Sequence, residues 1–389
     1  MGPFFAETVP ARLSGPGLVV AGVLSGTSAD GIDVALARFC GSEPHAPETL
    51  AFATLPFETG LATRLRAVLD GQAVDLAGIG RLHLELGHAF GAAARALAQR
   101  NGVGLDLVAS HGQTVWHFDG VGDPGSLQLG DGNQVAEAAG APCVCDFRAA
   151  DVAAGGHGAP LSIHGDERLF GHLPRPAAVL NLGGMGNLSI LPAPGERPLS
   201  FDTGPAGALL DGLARRLLHE PMDRDGRVAA SGRARGEWVD GLLQHPFFQE
   251  EPPRSTGRDT FGETWVGEFL AQVGPEAPPA NVLATAVEAV ARTVSSALER
   301  FVPRRPAGLV VAGGGVHNGA LMGALAQATG LPVHSSAAFG VDPDAREALM
   351  FACLGLDFCL GRRPDHPAAT GARRRPLLGK ACMPSVPLV

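Results

Sequence analysis

The sequence predicts a two-domain α/β protein in which one supersecondary unit occurs twice. Three observations carry this. The chain has 389 residues, more than one common-sized hydrophobic core organises. Its 54 glycines and 31 prolines demand many turns, within a composition that is 45% hydrophobic and 18% charged and therefore that of a well-buried globular protein. The succession strand, glycine-rich turn, strand, strand, helix that opens at Leu18 restarts at Ala177.

In the first half, the apolar runs Leu18 to Leu24 and Ile32 to Phe39 read as a strand pair and Glu48 to Pro56 as a third strand. Leu61 to Leu69 and Leu76 to Arg100 read as helices, the latter from the heptad-like spacing of Leu82, Leu84, Leu86, Ala89 and Phe90. Val108 to His111 is expected as a short strand that delivers Ser110-His111-Gly112-Gln113-Thr114 at its end, where α/β proteins place their chemistry. In the second half, Ala178 to Asn181 is a strand, Leu182 to Asn187 a glycine turn, Leu188 to Leu191 the returning strand and Leu199 to Gly204 a third. Leu209, Leu210, Leu213 and Leu217 mark a helix, Ala284 to Phe301 a long amphipathic one, and Gly308 to Ala312 a buried strand. Gly313 to Asn318 then opens the helix Ala320 to Ala328, and Arg346 to Cys359 is a further helix. Beyond Gly361 the Pro- and Arg-rich chain reads as a solvated extension. The first domain is expected over 18–145 with about 345–375, and the second over 146–344.

The segment Gly22 to Asp33 packs three hydroxyls, three glycines and two carboxylates between apolar strands. Asp30-Gly31 alone would be a hairpin turn, but such a turn has no need of Ser25, Gly26, Thr27 and Ser28 ahead of it. This is the composition of a loop that wraps N–H groups and hydroxyls around a polyphosphate and aims an aspartate at its metal. Two more glycine-rich turns, Gly183 to Asn187 with Asp202-Thr203-Gly204, and Gly313 to Asn318, also follow buried strands. Three such turns in a duplicated fold suit one nucleotide in the cleft between the copies, held by two phosphate loops and an adenosine loop. The chain has no G-x-x-x-x-G-K-[ST], and its one G-x-G-x-x-G, Gly120 to Gly125, neither follows a strand nor opens a helix. Asp223-Arg-Asp225-Gly226 lacks the later ligands of a calcium loop. Between the halves, Asp146 to Pro160 sets Arg148, Asp151 and His157 against a run of glycines, as a substrate site would, with Asp151 or His157 as general base.

A formal charge of −9 excludes a nucleic-acid backbone as the main partner. Six cysteines without C-x-x-C spacing support neither zinc nor a disulfide framework. The N-terminal stretch lacks a basic region followed by an apolar one, and no apolar run reaches the ~20 residues of a membrane span, so a soluble cytoplasmic protein is expected.

Taken in order, SGTSADGIDVAL, SHGQTVWH, LQLGDGNQVAE, DFRAADVAAGGHGAPL, NLGGMGNLS, FDTGPAGALLD, STGRDTFG, GGGVHNGALM and EALMFACLG run from Gly22 to about Leu356 and resemble the anhydro-N-acetylmuramic acid kinases, of the sugar kinase, Hsp70 and actin superfamily. The resemblance implies a duplicated RNase H-like, actin-like fold with an interdomain cleft, and ATP-dependent, Mg²⁺-assisted conversion of 1,6-anhydro-N-acetylmuramic acid to N-acetylmuramic acid 6-phosphate in peptidoglycan recycling. It puts the catalytic aspartate on Asp151, which would activate water. ATP would be held by Ser25, Gly26, Thr27, Ser28, Ala29, Asp30, Gly31 and Asp33, by Gly183, Gly184 and Asn187, by Asp202, Thr203 and Gly204, and by Gly313, Gly314, Gly315 and Asn318. The amino sugar would meet His111, Gln113, Thr114, His117, Arg148, Gly155 and Gly156, and the metal Asp30 and Glu288. The assembly is left open, with a homodimer as one outcome. The chain departs from the family pattern at Ala206-Gly207 (usually Gly-Asn), His157 (usually Gln) and Ala312 (usually Cys). Rival readings of the same fold are a kinase for another sugar and a non-catalytic ATPase switch.

Overall fold

The computed structural model describes residues 4–26, 29–41, 47–118, 125–257 and 259–386. The chain divides into two compact units, Met1–His172 with Ala345–Val389, and Leu173–Asp344.

The first unit is built on a seven-stranded sheet. β1 (Leu18–Ser25) pairs antiparallel with β2 (Ile32–Phe39), and β2 with β3 (Glu48–Leu55). On its other side β1 runs parallel to β4 (Leu107–Phe118), on which β5 (Gly125–Leu129) folds back. β4 also runs parallel to β6 (Cys143–Cys145), and β12 (Lys380–Cys382) lies antiparallel to β6 at the edge. Every residue of β1 is buried, which is why it is a continuous apolar run rather than an alternating one. The helices Thr59–Leu69, Leu76–Arg100 and Gly132–Ala139 start where Glu58, Asp75 and Asp131 accept N–H hydrogen bonds from their first turns. The helix Arg346–Cys359 packs on β1 at Gly22, where a Cβ would stand 1.8 Å from the Ala348 carbonyl oxygen.

The second unit repeats the plan. β7 (Ala177–Leu182), β8 (Met185–Leu191) and β9 (Leu199–Pro205) form an antiparallel meander. β10 (Leu309–Ala312) runs parallel to β7, and β11 (Val333–Ser335) parallel to β10. The order β9-β8-β7-β10-β11 therefore matches β3-β2-β1-β4-β6 strand for strand, which is the duplication that the sequence pattern predicts. The helices Gly207–Leu217, Pro279–Phe301 and Gly319–Thr329 cover this sheet around Phe201, Leu213, Val290 and Leu321.

Four expectations change. The strand expected to stop at His111 continues to Phe118, because β5 supplies its outer residues with a partner and Gly112 takes up a local irregularity at φ +81°. The glycine turn narrows to Gly183-Gly184, with Asn187 inside β8. Residues 146–172 pack with the first unit: the buried Asp166–Arg346 pair and the Arg168–Asp357 pair at 2.7 Å tie the helix Ser162–Phe170 to Arg346–Cys359. The stretch beyond Gly361 is no solvated extension, since it supplies β12 and buries Thr370. Among the described residues no helix is long and apolar enough to cross a membrane. All six cysteines are free, five of them buried.

Candidate active site

In the first unit the chemistry gathers around the short helix Phe147–Ala153 and the glycine loop after it. Asp151 is 1% exposed. Its Oδ2 accepts the Gly158 N–H at 2.8 Å, and its Oδ1 accepts the Thr370 hydroxyl at 2.7 Å. Gly155 and Gly158 sit at φ +90° and +77°, so the loop curls over the carboxylate as only glycine does without strain. At Gly156 a Cβ would stand 2.1 Å from Oδ2. Burial raises the proton affinity of Asp151 above that of a free carboxylate; the hydrogen bonds from Thr370 and Gly158, and the charges of His157 and Arg148, oppose that rise.

Arg148 stands one helical turn earlier. Its Nη1 donates to the Gly158 carbonyl at 2.8 Å, so Gly158 is held on both sides, its N–H by Asp151 and its carbonyl by Arg148. Its Nε donates to His111 Nε2 at 2.8 Å. Nε2 must then be the acceptor, and the ring proton lies on Nδ1, which donates to the Gly112 carbonyl at 3.1 Å. Burial, and then Arg148, hold the proton affinity of His111 well below the usual imidazole range. His111 is a neutral ring packed at a tilt against Phe351, centroids 4.5 Å apart, and both its nitrogens are used within the protein. It orients Arg148 rather than presenting a nitrogen to a ligand.

Gln113 is fully buried on β4, and its amide donates to the Gly26 carbonyl at 3.2 Å, tying the β1–β2 connection to β4. The connection is longer than a two-residue turn: Leu24 pairs with Asp33, Ala29 takes φ +49°, and the Gly26 carbonyl also accepts the Ala29 N–H. Ser25 Oγ and Gln113 Oε1 are buried with no hydrogen-bond partner among the described residues. Unpaired buried hydroxyl and amide oxygens at the mouth of such a loop are what a bound phosphate or sugar would satisfy. Asp33 accepts the Thr54 hydroxyl at 2.6 Å, and Gly31 lies against Thr54. Thr27 and Ser28 lie outside the described residues. Thr114 accepts from Gln128 at 3.2 Å, while His117 is on the exposed end of the β4–β5 hairpin.

In the second unit the Gly183-Gly184 turn receives the start of the helix Gly207–Leu217. Gly207 N–H donates to the Gly183 carbonyl, and Ala206 and Ala208 N–H to the Gly184 carbonyl, each at 2.9 Å. Glycine at 207 permits this approach, since a Cβ would stand 2.9 Å from the Gly183 oxygen. The carboxylate of Asp202 accepts from Asn187 Nδ2 and from Thr256 N–H, both at 2.9 Å, and the Thr203 hydroxyl donates to the Gly186 carbonyl. Gly204, at φ +135°, lies where a Cβ would meet the Phe248 ring at 2.6 Å. Gly313, at φ +81°, closes on the Leu182 carbonyl, whereas Gly184 and Gly314 have nothing within 4 Å of a Cβ. Bare backbone of that kind is open to close approach by a ligand. Asn318 caps the helix Gly319–Thr329, accepting the Leu321 N–H at 3.0 Å.

Glu288 accepts from Arg292 at 2.9 Å one turn along its own helix. Among the described residues no three His, Cys, Asp or Glu side chains gather so as to hold a metal ion. Asp30 and Glu288, in different units, each carry carboxylate oxygens of the hard kind that Mg²⁺ takes.

Two residues escaped the sequence reading. Thr370, deep in the expected tail, is the hydroxyl on Asp151. Arg254 is 8% exposed, stacked over Phe201, Phe247 and Phe301, and donates to the carbonyls of Asp202, Phe247 and Glu250. It anchors the strand that carries Asp202.

The sequence pattern of the family described as anhydro-N-acetylmuramic acid kinase matches residues 18–384. A protein of that name from Xanthomonas oryzae pv. oryzae (strain MAFF 311018) is 42% identical over 369 residues, covering 93% of this chain and 96% of its own. Another, from Salinibacter ruber (strain DSM 13855 / M31), is 39% identical over 384 residues, covering 94% and 96%. Among solved structures, the activator of the 2-hydroxyisocaproyl-CoA dehydratase from Clostridium difficile with bound ADPNP aligns with 88% of this chain and 96% of its own, at 14% identity and a TM-score of 0.46. The family pattern extends through both units, and the curated relatives are matched along nearly their whole length: the chain belongs to the anhydro-N-acetylmuramic acid kinase family.

Proposed function

We propose that this kinase opens 1,6-anhydro-N-acetylmuramic acid with water while transferring phosphate from ATP, giving N-acetylmuramic acid 6-phosphate and ADP, as a cytoplasmic step in the reuse of peptidoglycan sugars. The observation that supports this best is the carboxylate of Asp151, buried, held on both oxygens and raised in proton affinity. A base so tuned takes a proton from water more readily than a free carboxylate does. The water oxygen bonds to the anomeric carbon as the bond from that carbon to O6 breaks, and O6 takes the γ-phosphoryl group. Asp151 receives the proton that the water gives up.

Arg148, Gln113, Thr114, His117, Gly155 and Gly156 orient the sugar, with His111 acting through Arg148. Ser25, Gly26, Thr27, Ser28, Ala29, Asp30, Gly31 and Asp33 take the phosphates; the buried, unpartnered Ser25 hydroxyl fits that role. Gly183, Gly184, Asn187, Asp202, Thr203 and Gly204 take the second phosphate contact, and Gly313, Gly314, Gly315 and Asn318 the adenosine. Mg²⁺, when bound, neutralises charge on the transferring group, with Asp30 and Glu288 reaching it directly or through water.

A reaction in heavy-oxygen water, stopped early and weighed by mass spectrometry, tests the reading. One solvent oxygen should appear on the anomeric carbon, after correction for exchange with unlabelled product. Phosphorylated but unlabelled product would point to a plain kinase for another sugar. ADP formed without any sugar product would point to an ATPase switch.

A further inference from the structure

We propose that Thr370 is a positioning residue that serves the base in both of its protonation states, donating its hydroxyl hydrogen to the Asp151 carboxylate and then accepting from the carboxylic acid while that hydrogen turns to the Pro367 carbonyl. The inference rests on the reading of Asp151 as the base.

The geometry that points to it is a hydroxyl with one hydrogen and two acceptors. Thr370 Oγ lies 2.7 Å from Asp151 Oδ1 and 3.0 Å from the Pro367 carbonyl oxygen, and can satisfy only one of them at a time as donor. The other oxygen of Asp151 faces the Gly158 N–H at 2.8 Å, which can only donate. A proton arriving on Oδ2 would meet that N–H head on. A proton on Oδ1 meets an oxygen with a free lone pair, provided the threonine hydrogen has somewhere to go, and Pro367 supplies the place. The acid form is therefore Asp151 Oδ1–H donating to Thr370 Oγ, with Thr370 O–H donating to Pro367. No proton leaves the threonine, and no buried group loses its partner in either state, so the site changes charge without leaving a polar group unpaired.

The backbone fixes the hydroxyl where this exchange needs it. Thr370 is 2% exposed, its carbonyl accepts the His157 N–H at 2.8 Å, and Arg373 N–H donates to the Ala154 carbonyl at 3.1 Å. The charged groups facing Asp151 are Arg148 on its own helix and His157 on the glycine loop. Glu347 acts on Arg148, Arg373 packs on Gly155, and Arg374 donates to the Ala153 carbonyl.

The test compares Thr370→Val, Thr370→Ser and Asp151→Asn, with Thr370→Val repeated in a His157→Gln background so that the imidazole charge does not mask the result. Thr370→Val should lower kcat by about tenfold to a hundredfold with little change in either KM, and move the acidic limb of the kcat/KM profile up by about one pH unit, through loss of a hydrogen bond to a charged acceptor. Thr370→Ser should restore both rate and profile. A Thr370→Val enzyme that is folded by circular dichroism and keeps the wild-type limb and kcat overturns the inference, as does failure of the serine to rescue. Full activity in Asp151→Asn would instead overturn the reading of the base itself. If Thr370→Val fails to fold, Thr370→Ala carries the same comparison; a folded alanine variant that keeps the wild-type limb and kcat refutes the inference.

Discussion

Gly156→Ala moves the Asp151 carboxylate without changing its chemistry, and any loss of the sugar contact at Gly156 should fall on KM for the sugar rather than on kcat at saturation. The added methyl would stand 2.1 Å from Oδ2, 2.7 Å from Cγ and 2.9 Å from Oδ1, so it strikes the carboxylate and nothing else as closely. Ordinary non-bonded contact is about 3.5 Å, so the carboxylate must retreat by more than about an ångström. That retreat stretches the hydrogen bonds from Thr370 and Gly158, now 2.7 and 2.8 Å, past the useful range. A misplacement of that size is worth on the order of 100-fold in kcat, or about 2.7 kcal/mol in the barrier. The backbone at 156 is outside the left-handed region, so alanine brings no strain of its own. The assay is coupled ADP release under saturating ATP and sugar, with Gly323→Ala as the control: it sits in the helix Gly319–Thr329 with nothing within 4 Å of a Cβ and should leave the rate alone. If Gly156→Ala turns over within threefold of wild type while Asp151→Asn is dead, the base tolerates displacement and the argument from clamping is wrong.

Three further outcomes follow from the same structure. Because burial raises the proton affinity of Asp151 above its unfolded value, the folded enzyme holds that proton more tightly; the stabilisation is full below the unfolded pKa and is lost as pH rises through the folded one. Denaturant midpoints across about pH 4 to 7 should therefore fall less with rising pH in Asp151→Asn than in wild type, and identical slopes would contradict the shift. Arg346→Met removes the partner of the buried Asp166 and should lower unfolding free energy by about 3–5 kcal/mol, read from urea titration; a loss below 1 kcal/mol would show that the pair is not what ties residues 162–170 to the helix Arg346–Cys359. Arg254→Met strips donors from three carbonyls and should cost about 2–3 kcal/mol of stability while raising KM for ATP more than KM for the sugar; equal rises in both would argue against residues 202–204 as nucleotide contacts.

What was legible in the sequence is what short-range pattern decides. The helices Leu76–Arg100 and Arg346–Cys359 begin and end where periodicity puts them, because their apolar faces and, in the first, the Asp75 cap are written within a few residues. The repeat of strand order could be read from two glycine turns between apolar runs. Asp151 stood out through its company of Arg148 and glycines, but its clamp did not: Thr370 is 219 residues away, and nothing local marks a threonine among prolines and arginines as buried. Arg254 was missed for the same reason, since the three rings beneath it come from different parts of the chain. His111 was readable as a site residue, while its neutral, inward role depends on Arg148 arriving from another element. The outer half of β4 could not be foreseen because its partner strand, not its own composition, makes it a strand.

The discontinuity of the first unit sets an order of events on the ribosome. Residues 173–344 are contiguous and carry their own sheet and core, so that unit can fold as soon as it emerges. The unit that holds Asp151 waits: the helix that covers β1, the hydroxyl on the carboxylate and the edge strand beside β6 are all translated after the whole of its neighbour. A polypeptide released early would carry a finished second unit and an aspartate without its hydroxyl partner. Within this order, a chain that stops short of the helix Arg346–Cys359 leaves β1 uncovered and Asp151 without its hydroxyl.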